Sequence, residues 1–285
     1  MNDNNYDLNK IFTKQVLNNL LKNKNTNLYH SITHQYLSDY ENYYNKDIFN
    51  KIYEYLSKYY RNEYFYQNTL INKLLLGKHS VNTTTALTQL PIDQAKADFI
   101  LINGKAVVYE IKTELDSFIR LENQLNNYYK AFDHVCVVTS PDKYNKLTTF
   151  LSNYNVGIYI LSKQNRLQEK RKPQKFNKYI NHSSLFKILR KNEFENILLD
   201  YYNKLPSEKP VFYYEECYKE FKKIPLDFAY NEFLRELKKR SIKLNKEEFK
   251  KVPYELKSMV YFSEQSNKQY EQLNKFLNTK YQEVD

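Results

Sequence analysis

Apolar residues recur at helical spacing along the first quarter of the chain. Ile11, Val16, Leu20 and Leu21 begin the pattern, and after a polar break residues 36–60 carry Tyr, Ile and Leu at intervals of three and four. That spacing predicts an amphipathic helix over 36–60. A further helix is predicted from Glu63 to Leu76 through Phe65, Leu70, Ile71, Leu74 and Leu75, with Gly77 as its C-cap. The texture changes at Val81. After the polar VNTTT and a turn around Pro91, Ala97 to Ile102 is short and apolar, Asn103-Gly104 interrupts it, and Ala106 to Ile111 resumes as AVVYEI. This is the signature of a hairpin. A helix is predicted from Ser117 to Phe132, then a buried strand at Val135–Val138, then a helix opened by Ser140 as N-cap and Pro141 and running to Leu151, then a strand at Val156–Leu161.

Strand, strand, helix, strand, helix, strand predicts an α/β class: a central mixed sheet flanked by helices, with helical N- and C-terminal extensions. The organisation expected is a helical region over 1–60, a core over 61–165, a basic linker or loop over 166–182 and a mainly helical region over 183–285. Pro173 argues against a regular element in the linker, Pro206 and Pro210 mark a loop, and Pro225 predicts a break inside the stretch 213–240.

Composition narrows the classes. The chain of 285 residues is 41% hydrophobic and 16% aromatic, ample for a sizeable core. Cys136 and Cys217 are far apart with no CxxC, so neither a disulfide scaffold nor a thiolate zinc cluster has its ligands, and the cytoplasm is the expected compartment. The opening MNDNNYDLNKIFTKQ lacks the basic patch and apolar run of a signal peptide, and no apolar stretch is long enough to span a bilayer. With three glycines, no persistent heptad and no repeating block, collagen, coiled-coil, solenoid and P-loop readings fail. Lys plus Arg outnumber Asp plus Glu by 44 to 33, giving a charge of +11. The excess suits a polyanionic partner. An AT-rich coding bias would give the same Lys-, Asn- and Tyr-rich profile with no partner at all.

The candidate chemistry lies on the hairpin. Glu110 and Lys112 are two apart in a strand and so share a face, while Ile111 enters the apolar side. A two-residue turn at Asn103-Gly104 sets Asp98 opposite Tyr109, on the wrong face. A three-residue loop, or a bulge, sets it opposite Glu110. A shared site requires the second register, which we adopt. Two carboxylates can hold Mg²⁺ or Mn²⁺ through oxygen ligands, and the lysine places positive charge beside a phosphate under attack. On the next helix Arg120, Gln124 and Tyr128 form one polar stripe, able to grip a phosphate and orient the lysine. Each of these features has a bland alternative, a surface salt-bridge network or a solvated helix face.

Asp98, Glu110-Ile111-Lys112 and Gln124-x-x-x-Tyr128 together resemble the PD-(D/E)XK nuclease superfamily, the last feature its RecB-like branch. The stretch from RNEYFYQN to VCVVTS, roughly residues 61–140, also resembles a family of small bacterial proteins often found near prophage or defence genes. The superfamily resemblance implies a metal-dependent nuclease with a catalytic set of Glu63, Asp98, Glu110 and Lys112, the three carboxylates as metal ligands, and Gln124, Tyr128 and Arg120 in support. Ala97 stands where the motif's naming proline would be, and Glu63 is placed by its position ahead of the core. DNA is favoured over RNA as substrate. An inactive nucleic-acid-binding or regulatory module of the same fold and an RNA nuclease are the alternatives, with room for a homo-oligomer or a partner protein and none for a membrane.

Further candidates lie outside the hairpin and the helix after it. Lys78 and His79 could approach a phosphate if the helix before them delivers Glu63 to the same place. Lys170, Arg171, Lys172 and Lys175, in the run from Lys163 to Lys178, are candidate nucleic-acid contacts, as is a second run of Arg235, Lys238, Lys239, Arg240, Lys243 and Lys246. His30 and His34 are spaced for one helix face but lack a nearby third metal ligand, His134 is read as structural, and Cys136 as a buried small hydrophobe.

Overall fold

The computed structural model describes residues 7–24, 26–240 and 244–282. Four helices lead: α1 (Lys14–Leu21), α2 (Asn27–Tyr36), α3 (Asn45–Tyr59) and α4 (Glu63–Leu70), the last continued by a π-helical turn over Ile71–Leu75. The helix predicted over 36–60 is therefore divided. Asp39 adopts a left-handed φ of 55°, a short 3₁₀ turn follows, and α3 starts only where Asp47 accepts from the Tyr44 N–H at 3.0 Å. Gly77 ends the helical stretch as expected, but φ is not left-handed there. Glycine is needed for clearance, because a Cβ would stand 2.9 Å from the Lys73 carbonyl oxygen.

The sheet has six strands in the order β1 (Thr85–Ile92), β2 (Ala95–Asn103), β3 (Lys105–Lys112), β4 (Val135–Thr139), β5 (Gly157–Leu161) and β6 (Leu167–Arg171). α5 (Leu121–Tyr128) joins β3 to β4 and α6 (Tyr144–Phe150) joins β4 to β5; these two pairs are parallel and the other three antiparallel. The α/β class with a mixed sheet is thus as predicted. β4 and β5 are buried along their whole length, which explains why they read as apolar runs, and β3 is buried beyond Lys105.

Two strands correct the sequence reading. β1 went unrecognised because Pro91 reads as a turn; as an edge strand it tolerates a residue without an N–H. Leu167–Arg171, read as linker, pairs with β5 as the opposite edge, where polar and charged side chains are the usual composition. Two smaller readings also shift. α5 is shorter than the 117–132 predicted, with residues 113–120 forming a loop, and Ser140 sits at the N-cap position before Pro141 without making a side-chain cap bond.

The remaining helices are α7 (His182–Ile188), α8 (Lys191–Tyr202), α9 (Pro210–Lys223), α10 (Leu226–Lys239), α11 (Lys246–Lys251), α12 (Lys257–Ser263) and α13 (Asn267–Leu277). Pro225 divides α9 from α10, as its position predicted. Sheet alternation sends these helices to two places. Phe99, Leu101, Val107, Tyr109 and Ile111 face a core built with α1–α4 and α11–α13. Ile100, Ile102, Ala106, Val108 and Val137 face a second core built with α5–α10. Residues 183–285 therefore divide between opposite faces. Among the described residues no helix is long and apolar enough to cross a membrane.

Candidate active site

Gly104 alone separates the paired residues Asn103 and Lys105, at φ +71°, a conformation open to glycine. This odd-length connection pairs Phe99 with Tyr109 and Ile100 with Val108. Continued by one residue, the register sets Asp98 opposite Glu110, the alternative that a shared site required.

The ladder itself stops at Phe99, and the reason is local. Thr88 pairs with Phe99 and Leu90 with Ala97, but Gln89 and Asp98 between them are not paired, and Gln89 is left-handed at φ 52°. Both strands change phase there: Leu87 and Ile100 on one side, and Leu90 and Ala97 on the other, all face the second core. Strict alternation would have put the members of each strand on opposite faces. The kink turns the Asp98 carboxylate toward β3, where Oδ2 accepts the Ile111 N–H at 2.8 Å. A side chain thus occupies the place of a backbone acceptor at the point where the hairpin arms part.

A cavity of about 620 Å³ opens at that point, lined from α4, the β1–β2 kink, the end of β3, the 113–120 loop, α5 and α12. Glu63, Asp98, Glu110, Lys112, Arg120 and Gln124 all line it. Glu110 and Lys112 are almost wholly buried, and the lysine Nζ lies 2.7 Å from Glu110 Oε1 and donates to Gln124 Oε1 at 2.8 Å. The Tyr128 hydroxyl donates to Glu110 Oε2 at 2.5 Å, with the Lys96 carbonyl oxygen 2.9 Å away. Arg120, at the N-cap of α5, is exposed at the cavity rim. Of the helical stripe, Gln124 and Tyr128 therefore hold the Glu110–Lys112 pair, and Arg120 stands apart from it at the rim.

Electrostatics in the cavity are dominated by crowded carboxylates. Burial, then the charges of Glu110 and Glu63, push Asp98 up to about 8. Glu63, at the N-terminus of α4 behind the Asn62 cap, is also raised, by desolvation and by the charges of Asp116 and Glu110. Burial and the adjacent Glu110 raise the Tyr128 hydroxyl far above its ordinary range, so it serves as a donor. The carboxylate donors here are all hard oxygens, the ligand type that Mg²⁺ and Mn²⁺ take, and they repel one another. In the arrangement present, both Glu110 oxygens are engaged and Glu63 Oε1 accepts from Gln89 Nε2 at 2.9 Å. Among the described residues no group of three His, Cys, Asp or Glu is placed to hold a metal ion.

Sequence reasoning missed several cavity residues. Gln67, one turn after Glu63, donates to Thr88 Oγ1 at 2.5 Å, and Thr88 donates to the Asp98 carbonyl oxygen at 2.8 Å. The spacing Glu63, Gln67 was a readable signal. Gln89 gave none, because a left-handed non-glycine leaves no mark in the sequence. Asp116 fastens the loop after β3 by accepting from the Thr113 N–H at 2.9 Å.

The structure places the remaining nucleic-acid candidates apart from this cavity. Lys78 and His79 follow the far end of the α4 stretch and line a separate cavity on the other sheet face, with Lys172, so the helix does not deliver them to Glu63. Arg171 is half-buried, its guanidinium donating to the carbonyls of Val156 at 2.7 Å and Leu151 at 3.1 Å, a structural tie. Lys170 and Lys175 are exposed. In the second run, Arg235 pairs with Asp200 and Glu232, Lys239 with Glu236, and Arg240 with Glu193, while Lys243 lies outside the described residues. His30 and His34 both contact the Tyr281 hydroxyl, His134 contacts Asp133, and the Cys136 thiol is raised by burial in the core.

Fold and site together define an α/β protein whose mixed sheet carries a buried carboxylate–lysine constellation where a hairpin opens. The chain belongs to the family described as Bacteriophage P4 protein cII, whose model matches residues 57–274. Protein cII of Enterobacteria phage P4 is 27% identical over 112 residues, 37% of this chain. The match spans 40% of that relative's length. No solved structure matches.

Proposed function

We propose that the protein is a metal-dependent nuclease of PD-(D/E)XK type that hydrolyses phosphodiesters in nucleic acid, DNA in preference to RNA. The observation that carries this reading is the meeting of Glu63, Asp98, Glu110, Lys112 and Gln124 in one cavity, with the Asp98 carboxylate accepting the Ile111 N–H between Glu110 and Lys112. A bound Mg²⁺ or Mn²⁺, held by Asp98 and Glu110 with Glu63, would supply Lewis acidity and a more acidic water. The chain's own groups do the rest. Gln124 and Glu110 fix the Lys112 ammonium, which bears on the charge that develops as water attacks phosphorus and the P–O bond to the leaving oxygen breaks. Tyr128 holds Glu110, and Arg120 at the rim is placed to meet a neighbouring phosphate. Membership of a family bearing a phage protein's name supports a mobile-element or defence role. The free thiols of Cys136 and Cys217 support a cytoplasmic setting.

The test incubates pure protein with linear and circular DNA, single-stranded DNA and total RNA, in Mg²⁺, Mn²⁺ or EDTA, beside Asp98→Asn and Lys112→Ala. Metal-dependent cleavage by the parent alone is expected; cleavage that survives both substitutions defeats the assignment. One observation favours a second reading, a non-catalytic nucleic-acid-binding module: Lys112 and Tyr128 engage both Glu110 oxygens. Equal metal-independent binding by all three proteins, with no cleavage, would establish it.

A further inference from the structure

A second cavity, about 320 Å³, lies on the opposite face of the sheet, against the tip of the β2–β3 hairpin and the start of the chain after β6. Its rim carries Lys78, His79, Asn103, Lys105 and Lys172, and one carboxylate, Glu169, lies among them. None of these three lysines has an ion-pair or hydrogen-bond partner for its ammonium among the described residues, whereas many lysines elsewhere pair with a glutamate one turn away. Glu169 accepts the Tyr159 hydroxyl through Oε2. The Asn103 amide can only donate to His79 Nδ1, 3.1 Å away, so the ring is in the tautomer whose Nε2–H remains a donor. The floor is apolar and aromatic, from Leu101, Val107, Tyr109 and Tyr159. Lys73 extends the positive rim into an adjoining cavity of about 260 Å³ that shares Lys78, Tyr159 and Glu169.

Unpaired cations, a neutral imidazole donor and a tyrosine floor are what a phosphate attached to a flat organic group requires. We propose that this cavity binds a phosphate group of a nucleotide, its anionic end held by Lys78, His79, Lys105 and Lys172 and its base against the tyrosine floor. The odd residues Leu101, Val107 and Tyr109 place it on the face opposite Glu110 and Lys112, so it is a separate site and does not depend on the nuclease reading. The nucleotide is either free or the phosphorylated end of a nucleic acid strand; both present the same chemistry.

Isothermal titration calorimetry of the full chain in EDTA, at about 0.1 M salt, tests this with three probes: deoxyadenosine monophosphate, a 5′-phosphorylated deoxy-dodecamer and the same dodecamer with a 5′-hydroxyl. Binding of the mononucleotide, or binding of the phosphorylated dodecamer at least tenfold tighter than its hydroxyl counterpart, is expected; the first result marks a free nucleotide and the second a strand end. Lys105→Glu, at an exposed hairpin tip, should weaken that binding at least tenfold, whereas Lys146→Glu on α6 should leave it within twofold. Glu169→Gln keeps the acceptor for Tyr159 but removes the one negative charge, and should tighten binding several-fold, which a purely structural role would not do. No discrimination between the two dodecamers together with no mononucleotide binding, or binding unchanged in Lys105→Glu, overturns the proposal. Melting curves of each variant establish that folding is intact.

Discussion

Replacing Asp98 with asparagine should make the metal-free protein more stable while abolishing metal binding. In the fold Asp98 is pushed up to about 8 from 3.8, by burial and by the charges of Glu110 and Glu63. An acid whose folded pKa is raised contributes no penalty below its unfolded value near 4. The penalty then grows with pH and is fully developed above about 8. Each unit is about 1.4 kcal/mol, so the parent carries a burden on the order of 3–5 kcal/mol at pH 8, shared with the neighbouring carboxylates. Asparagine keeps an oxygen to accept the Ile111 N–H but loses the charge assistance, worth about 1 kcal/mol. The net expectation is about 2–4 kcal/mol of added stability at pH 8 in EDTA, a Tm rise of at least about 4 °C for a chain of this size, and no difference near pH 4. Saturating Mn²⁺ should close most of that gap, raising the parent by about 3 kcal/mol at a hundred times its Kd and the variant by far less. Differential scanning fluorimetry across pH 4–8.5, with EDTA and with Mn²⁺, measures all of this. An asparagine variant less stable than the parent at pH 8 without metal would refute the account of crowded carboxylates, and equal metal shifts in both proteins would refute Asp98 as a ligand.

Substitutions at three further positions probe the frame around the site. Arg240→Ala leaves Glu193 buried without its paired guanidinium, which donates from Nε at 2.6 Å, and should cost about 3 kcal/mol in urea unfolding. Although burial alone would raise it, Glu193 is held below its ordinary pKa by Arg240 and by the Arg190 N–H, so the parent should lose this contribution as pH falls below about 4.5 and the variant should show a flatter acid limb. Gly157→Ala would bring a Cβ within 2.7 Å of Cys136 Sγ and of the Pro173 nitrogen, and a loss of about 1–3 kcal/mol in the same assay is expected. Gln89→Gly should be close to neutral for stability and Gln89→Val destabilising by about 1–2 kcal/mol, because φ at this position is 52°; equal melting of the two would remove the argument for a left-handed kink.

Much of the site was legible because its residues lie on short elements of firm periodicity. Glu110 and Lys112 share a face by strand alternation alone, and Gln124 and Tyr128 share one by helical spacing, so their convergence needed only the two elements to pack together. Asp98 needed more: its partner depended on one residue of loop length, and its direction on a phase change at Gln89 that no residue type announces. Lys78 and His79 were misplaced for a geometric reason. A helical stretch of this length separates its ends by roughly 20 Å at 1.5 Å per residue, so Glu63 and Lys78 cannot share a cavity unless the chain folds back.

What the sequence determined by itself was the alternation of apolar and polar positions, hence the α/β class, the order of the central elements and the grouping of charges on each. These are local properties, set within a few residues by side-chain period and backbone preference. The tertiary structure decided which charges are spent inside the molecule and which remain available: Arg171 and Arg240 are tied to carbonyls or a carboxylate, while Lys78, Lys105 and Lys172 gather around a second cavity. It also divided the C-terminal helices between the two sheet faces. Such outcomes depend on contacts between residues far apart in the chain, and charge composition is blind to them because a paired and an unpaired lysine are the same letter.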